Sequence, residues 1–75
     1  MSLIGRYGAD LTDRELQVLR GAAYGESQME TSARLHVSRE TVHAHRRSLM
    51  GKLGARNITN AVALAYETGL LGEAA

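Results

Sequence analysis

The 75-residue chain has no cysteine, no proline, no phenylalanine and no tryptophan. Without cysteine, neither a disulfide nor a thiolate zinc site can stabilise it, which fits a reducing compartment. Without the two large aromatics, a core has to come from Leu, Val, Ala, Met and three Tyr, a palette that leans helical. No apolar run approaches the roughly 18 residues of a membrane span, and the N-terminus has no signal-peptide core. There is no phosphate loop, no nucleophile–base pair and no metal-ligand cluster. An enzyme is therefore not expected, nor a cofactor. Internal repeats and low-complexity segments are absent too. At this length the chain is one small domain. It buries only about 60% of its unfolded surface, so association with a second copy is a plausible aid to stability.

Net charge is +1, a figure that hides a division. Residues 1–38 carry Arg6, Arg14, Arg20 and Arg34 against Asp10, Asp13, Glu15, Glu26 and Glu30. Residues 39–56 carry Arg39, Arg46, Arg47, Lys52 and Arg56 against Glu40 alone. Residues 57–75 hold only Glu67 and Glu73. A weakly acidic body bearing one basic segment suggests a directed contact with a polyanion.

Helix signals divide the chain. Residues 1–10 lack periodicity, include Gly5 and Gly8, and read as a flexible arm or linker, leaving 11–75 as the domain. Thr12-Asp13-Arg14-Glu15 matches a capping box, in which the hydroxyl takes an orphan amide and the carboxylate reaches back. Capping also explains Asp13 and Glu15, which are not a catalytic pair. Leu16, Leu19 and Ala23 then mark one helix face, and Gly25 is placed to end the helix. Ser27-Gln28-Met29-Glu30 is a second capping box opening a short helix that ends near Leu35. After the tight His36-Val37 connection, Ser38 caps a third helix, about 39–53. Its apolar stripe is Val42, His45, Leu49 and Leu53, widened by Met50, and Gly54 terminates it. Asn57 caps a fourth helix, about 58–68, with Ala61, Leu64, Ala65 and Thr68 on one face. Val62 and Tyr66 lie on the next face, and Gly69 ends the helix so that Leu70 and Leu71 can fold back over it.

Two short helices joined by a tight connection, the second one basic, form a helix–turn–helix arrangement. A helix dry on one face and cationic on another suits the major groove of DNA. His45 falls on the apolar stripe and reads as a core-edge residue, with a phosphate contact as the alternative. His43 points elsewhere, because residues two apart do not share a helix face, so the two are not a metal pair. His36 reads as solvated surface.

The segments LTDRELQVL (Leu11–Leu19), Gly25, Leu35, SRETVHAH (Ser38–His45), KLGAR (Lys52–Arg56) and GLL (Gly69–Leu71) resemble the LuxR/GerE-type DNA-binding domain, at that family's spacing and without insertion. The resemblance covers roughly four-fifths of the chain. It implies an all-α, small four-helix bundle containing a helix–turn–helix, with a recognition helix at Arg39–Leu53 and dimerisation through the fourth helix. It places His43, Ala44 and Arg47 at base-facing positions. Thr41, Arg46 and Lys52 fall at backbone-contact positions, and Ser38 with the first helix amides can also meet a phosphate. Val62 and Tyr66 become the candidate dimer face. Arg39 and Arg56 are either phosphate contacts or solvated surface.

The implied work is sequence-specific transcriptional regulation on double-stranded DNA as a homodimer, with RNA polymerase as a possible further partner and no membrane contact. The implied setting is a bacterial-type cytoplasm, nucleoid-associated when bound. The alternative is a module that docks on a sigma factor or another regulator through the same helices. The chain departs from the family in three places. Thr31-Ser32 stands where Ile-Ala is usual, so an apolar anchor becomes a hydroxyl, expected to bond a carbonyl one turn back. Asn60-Ala61 replaces an acidic residue and a Leu. Gly51 sits inside the third helix, at a cost of about 0.8–1 kcal/mol relative to Ala.

Overall fold

The structure is a computed structural model that describes residues 11–72; the expected arm at 1–10 lies outside them. The described residues form four helices and no strand: α1 Asp13–Ala23, α2 Gln28–Leu35, α3 Arg39–Leu53 and α4 Ile58–Glu67. The all-α expectation holds. No helix among the described residues is long and apolar enough to cross a membrane.

The chain's local chemistry sets these boundaries. Thr12 Oγ1 accepts the Glu15 amide at 3.1 Å, and the Thr12 amide donates to Glu15 Oε1 at 2.9 Å. Ser27 and Glu30 repeat the arrangement at the head of α2. Each reciprocal pair satisfies amides that a helix start leaves orphaned. Asn57 caps α4 by accepting the Asn60 amide at 2.7 Å, and Asn60 Oδ1 in turn takes the Arg56 amide. Gly54, at φ +70°, ends α3 in the left-handed region. The turn between α2 and α3 uses the same region without glycine: His36 has φ +59°. Histidine is among the residue types enriched there, and its ring is exposed as expected.

α3 packs against each of the other helices, and α1 also packs against α4. The core at their junction is Val18, Leu19, Val42, Leu49, Leu53, Ala61 and Ala65. Leu70 and Leu71 fold back against it, with the Leu70 amide on the Ala65 carbonyl at 2.8 Å.

Two expectations need correction. The buried residues of α1 are Glu15, Val18, Leu19 and Gly21, whereas Leu16, though packed against the core, and Ala23 are only half-buried. A carboxylate thus occupies a core position that the apolar pattern could not reveal. Thr31 is fully buried, but its hydroxyl donates to Glu26 Oε1 at 2.8 Å and not to a carbonyl. It is Ser32 that bonds back, to Met29 O at 2.7 Å.

Candidate nucleic-acid interface

α3 has two unlike faces. Val42, Leu49 and Leu53 are buried in the core, and His45 sits half-buried at its edge. The opposite row, His43, Ala44, Arg47 and Gly51, is exposed. The three residues expected to read bases therefore share one accessible strip, which follows from their i, i+1 and i+4 spacing at 3.6 residues per turn. At the head of the helix, Ser38 Oγ accepts the Thr41 amide at 3.0 Å and donates to Thr41 Oγ1 at 2.9 Å. The two hydroxyls so form one polar corner beside the positive end of the helix dipole. Gln28, Arg39, Glu40 and His43 line a shallow depression between α2 and α3. There, Gln28 Nε2 and His43 Nδ1 stand 3.5 Å apart.

Two other cations of α3, Lys52 and Arg46, are engaged inside the domain. Lys52 Nζ bonds Glu15 Oε1 at 2.8 Å, and Ser48 Oγ donates to Glu15 Oε2 at 2.5 Å. Burial opposes ionisation of Glu15. The bonds from Lys52, Ser48 and the Thr12 amide outweigh it, aided by the Lys52 charge, and bring its pKa down from 4.5 to about 2. Arg46 is half-buried; its Nη2 donates to the Glu26 carbonyl at 3.2 Å, and its buried Nε has no hydrogen-bond partner among the described residues. The candidate dimer residues differ in environment. Tyr66 is 41% exposed, whereas Val62 is half-buried against the core.

A profile of the bacterial regulatory proteins of the luxR family matches residues 9–65. The chain belongs to that family. Relatives of this LuxR-family domain include the nitrate/nitrite response regulator protein homolog of Haemophilus influenzae. It is 44% identical over 57 residues, which cover 76% of this chain and 27% of that protein. Response regulator RamR of Streptomyces coelicolor is 42% identical over 59 residues, covering 79% of this chain and 29% of its own. The transcriptional regulatory protein UhpA of Escherichia coli is 49% identical over 47 residues, 63% of this chain and 24% of its own. The domain spans less than a third of the length of these relatives. Fold and family together make it a DNA-binding helix–turn–helix domain of the kind found in transcriptional regulators.

Several residues of the LuxR-family domain acquire roles that pattern reading missed. Ser48 and Glu15 sit on different helices and meet only in the fold. Glu26 organises the turn before α2: it takes the Thr31 hydroxyl at 2.8 Å and both Nε and Nη2 of Arg34, at 2.8 and 3.0 Å. These bonds, those from Arg34 first, lower the pKa of Glu26, and Glu26 raises that of Arg34. Gly21 makes room for this group. A Cβ there would lie 2.3 Å from Glu26 Oε1 and 2.9 Å from Arg34 Nη2. A sequence signal existed at one point only, the polar Thr31 in an otherwise amphipathic helix.

Proposed function

We propose that the domain binds double-stranded DNA sequence-specifically as a two-fold dimer and thereby regulates transcription. α3 lies in the major groove, with half-sites about one helical turn apart, roughly 10 bp, or a near multiple of that. The observation that carries this reading is the exposed strip of His43, Ala44 and Arg47 on the helix whose opposite face is the core. An element anchored in that way can present side chains to base edges without losing its own packing.

Each residue has a role its chemistry allows. The Arg47 guanidinium suits guanine O6 and N7 with paired hydrogen bonds, worth about 1–3 kcal/mol of discrimination. His43 donates or accepts at a neighbouring edge. Ala44 permits close approach and offers a methyl group to thymine. Ser38, Thr41 and the first amides of α3 take a phosphate, which positions the helix without reading sequence. Lys52 adds charge near the backbone while holding Glu15. Tyr66, with Val62 beneath it, forms the dimer face on α4.

Selection from a randomised duplex pool at about 150 mM salt tests the proposal, because specific binding has to survive the screening that weakens phosphate contacts. Enrichment of a palindromic motif is the expected result. Weak, salt-sensitive binding without enrichment would overturn it and favour docking on a sigma factor or another regulator.

A further inference from the structure

We infer that Arg46 is a positioning residue: it fixes how α3 seats against the start of α2, and so which base edges Arg47 and His43 reach, instead of contacting a phosphate itself. The inference rests on the DNA-binding reading above and refines it.

Arg46 and Arg47 are neighbours about 100° apart around the helix, and the fold treats them differently. Arg47 is exposed, whereas Arg46 is half-buried. Arg46 Nε is shut off from solvent, with no partner among the described residues, so no phosphate can reach that nitrogen without repacking. Its Nη2 is directed at the Glu26 carbonyl across 20 residues of sequence. Burial lowers its pKa, as desolvation does for a cation that is not fully in water.

The point that Arg46 grips is itself held firmly. The Glu26 amide donates to Gly21 O at 2.9 Å, and its carboxylate takes Thr31 and Arg34. The next residue, Ser27, is the N-cap of α2. Arg46 therefore ties the middle of α3 to the entry of α2. α2 needs such a tie, because its central buried residue is Thr31 and its contact with the first turn is polar. An apolar anchor tolerates sliding, but a carbonyl–guanidinium bond fixes a distance and a direction. The angle between the two helices decides how deeply α3 enters the groove.

Arg46→Met and Arg46→Lys test this. Both keep an apolar stem in the half-buried slot, and Lys also keeps a donor. With Met we expect the ratio of cognate to random-duplex affinity to fall about tenfold, the scale of one lost base contact. The salt slope should stay unchanged, and Lys should recover part of the ratio. A slope reduced by about one, with equal weakening on all duplexes, would identify a phosphate contact and overturn the inference. So would an unchanged ratio in Arg46→Met. A DNA-free arm separates this inference from the DNA-binding reading. In Arg46→Met the Glu26, Glu30 and Thr31 amides should exchange faster with solvent, while those of α4 should not. Unchanged exchange overturns the grip itself, even if the wild-type chain binds no duplex.

Discussion

Lys52 Nζ stands 2.8 Å from Glu15 Oε1 and so links the last turn of α3 to the first turn of α1. Glu15 is only 4% exposed and caps its own helix as well. One carboxylate thus sets the start of α1 and the seating of α3 upon it. A buried ion pair is stable only when its remaining lone pairs are also satisfied, and the Ser48 hydroxyl supplies that third partner.

This arrangement makes stability depend on acid. The pKa of Glu15 is about 2 in the folded domain against 4.5 ordinarily. The folded state therefore holds the ionised form more tightly than the unfolded chain does. The linked stability, about 3 kcal/mol at most, is complete above about pH 4.5 and is lost as pH falls towards 2. Glu26 is shifted in the same direction and adds to the loss. Urea midpoints between pH 7 and pH 2.5 should fall steeply in the wild type and less steeply in Glu15→Gln. Equal slopes would show that Glu15 does not carry the effect.

The same substitution should have opposite effects at two helical glycines. Gly51 lies in α3, and a Cβ there meets nothing within 4 Å among the described residues. Gly51→Ala should raise stability by about 0.8–1 kcal/mol, the helix propensity difference. Gly21 lies in α1 against Glu26, Arg34 and Thr31. There a methyl group displaces the carboxylate and leaves the buried Thr31 hydroxyl without its acceptor, at about 1–3 kcal/mol. That outweighs the propensity gain, so Gly21→Ala should lose about 1 kcal/mol. Thermal and urea unfolding of the two variants, side by side, decide both.

The sequence makes the helices legible because their ends are written in local chemistry. Thr12, Ser27, Ser38 and Asn57 each bond an amide three residues on, and that requirement involves no distant contact. The exposed strip of α3 is legible for the same reason, since helical period alone sorts Val42 and Leu49 from His43 and Arg47. What stayed hidden was every partner far along the chain. Lys52, Arg46 and Ser48 look like three polar residues of a basic helix, and only the packing of α3 on α1 and on the entry to α2 shows where they point. Glu15 was legible as a cap but not as a buried residue, because a carboxylate is rarely buried unless paired. Its partner lies 37 positions away.

The proposed dimer face would separate stability from assembly. Tyr66 is 41% exposed and outside the core, so Tyr66→Ala should change monomer stability by less than about 1 kcal/mol. It should nevertheless weaken cooperative binding to paired half-sites while leaving affinity for a single half-site unchanged. Val62 packs on the core, and Val62→Ala should cost about 1 kcal/mol of folding stability as well. Titration of one- and two-half-site duplexes with each variant checks the distinction. Unaltered cooperativity in both would place the dimer contact elsewhere.

Arg47 and Lys52 should fail differently, and the comparison assigns reading and positioning. Arg47 is exposed, so Arg47→Ala should leave the unfolding midpoint nearly unchanged. Its loss should appear as about 1–3 kcal/mol of discrimination at one base pair. Lys52→Ala leaves the buried Glu15 carboxylate without its cation. Since a third of the Lys52 side chain is exposed, the stability loss should be moderate, about 2 kcal/mol. At a temperature where the variant is fully folded, it should bind every duplex more weakly by a similar factor. The salt dependence then says what Lys52 does on DNA. A slope shallower by about one marks a phosphate contact, whereas an unchanged slope restricts Lys52 to holding α3 against α1.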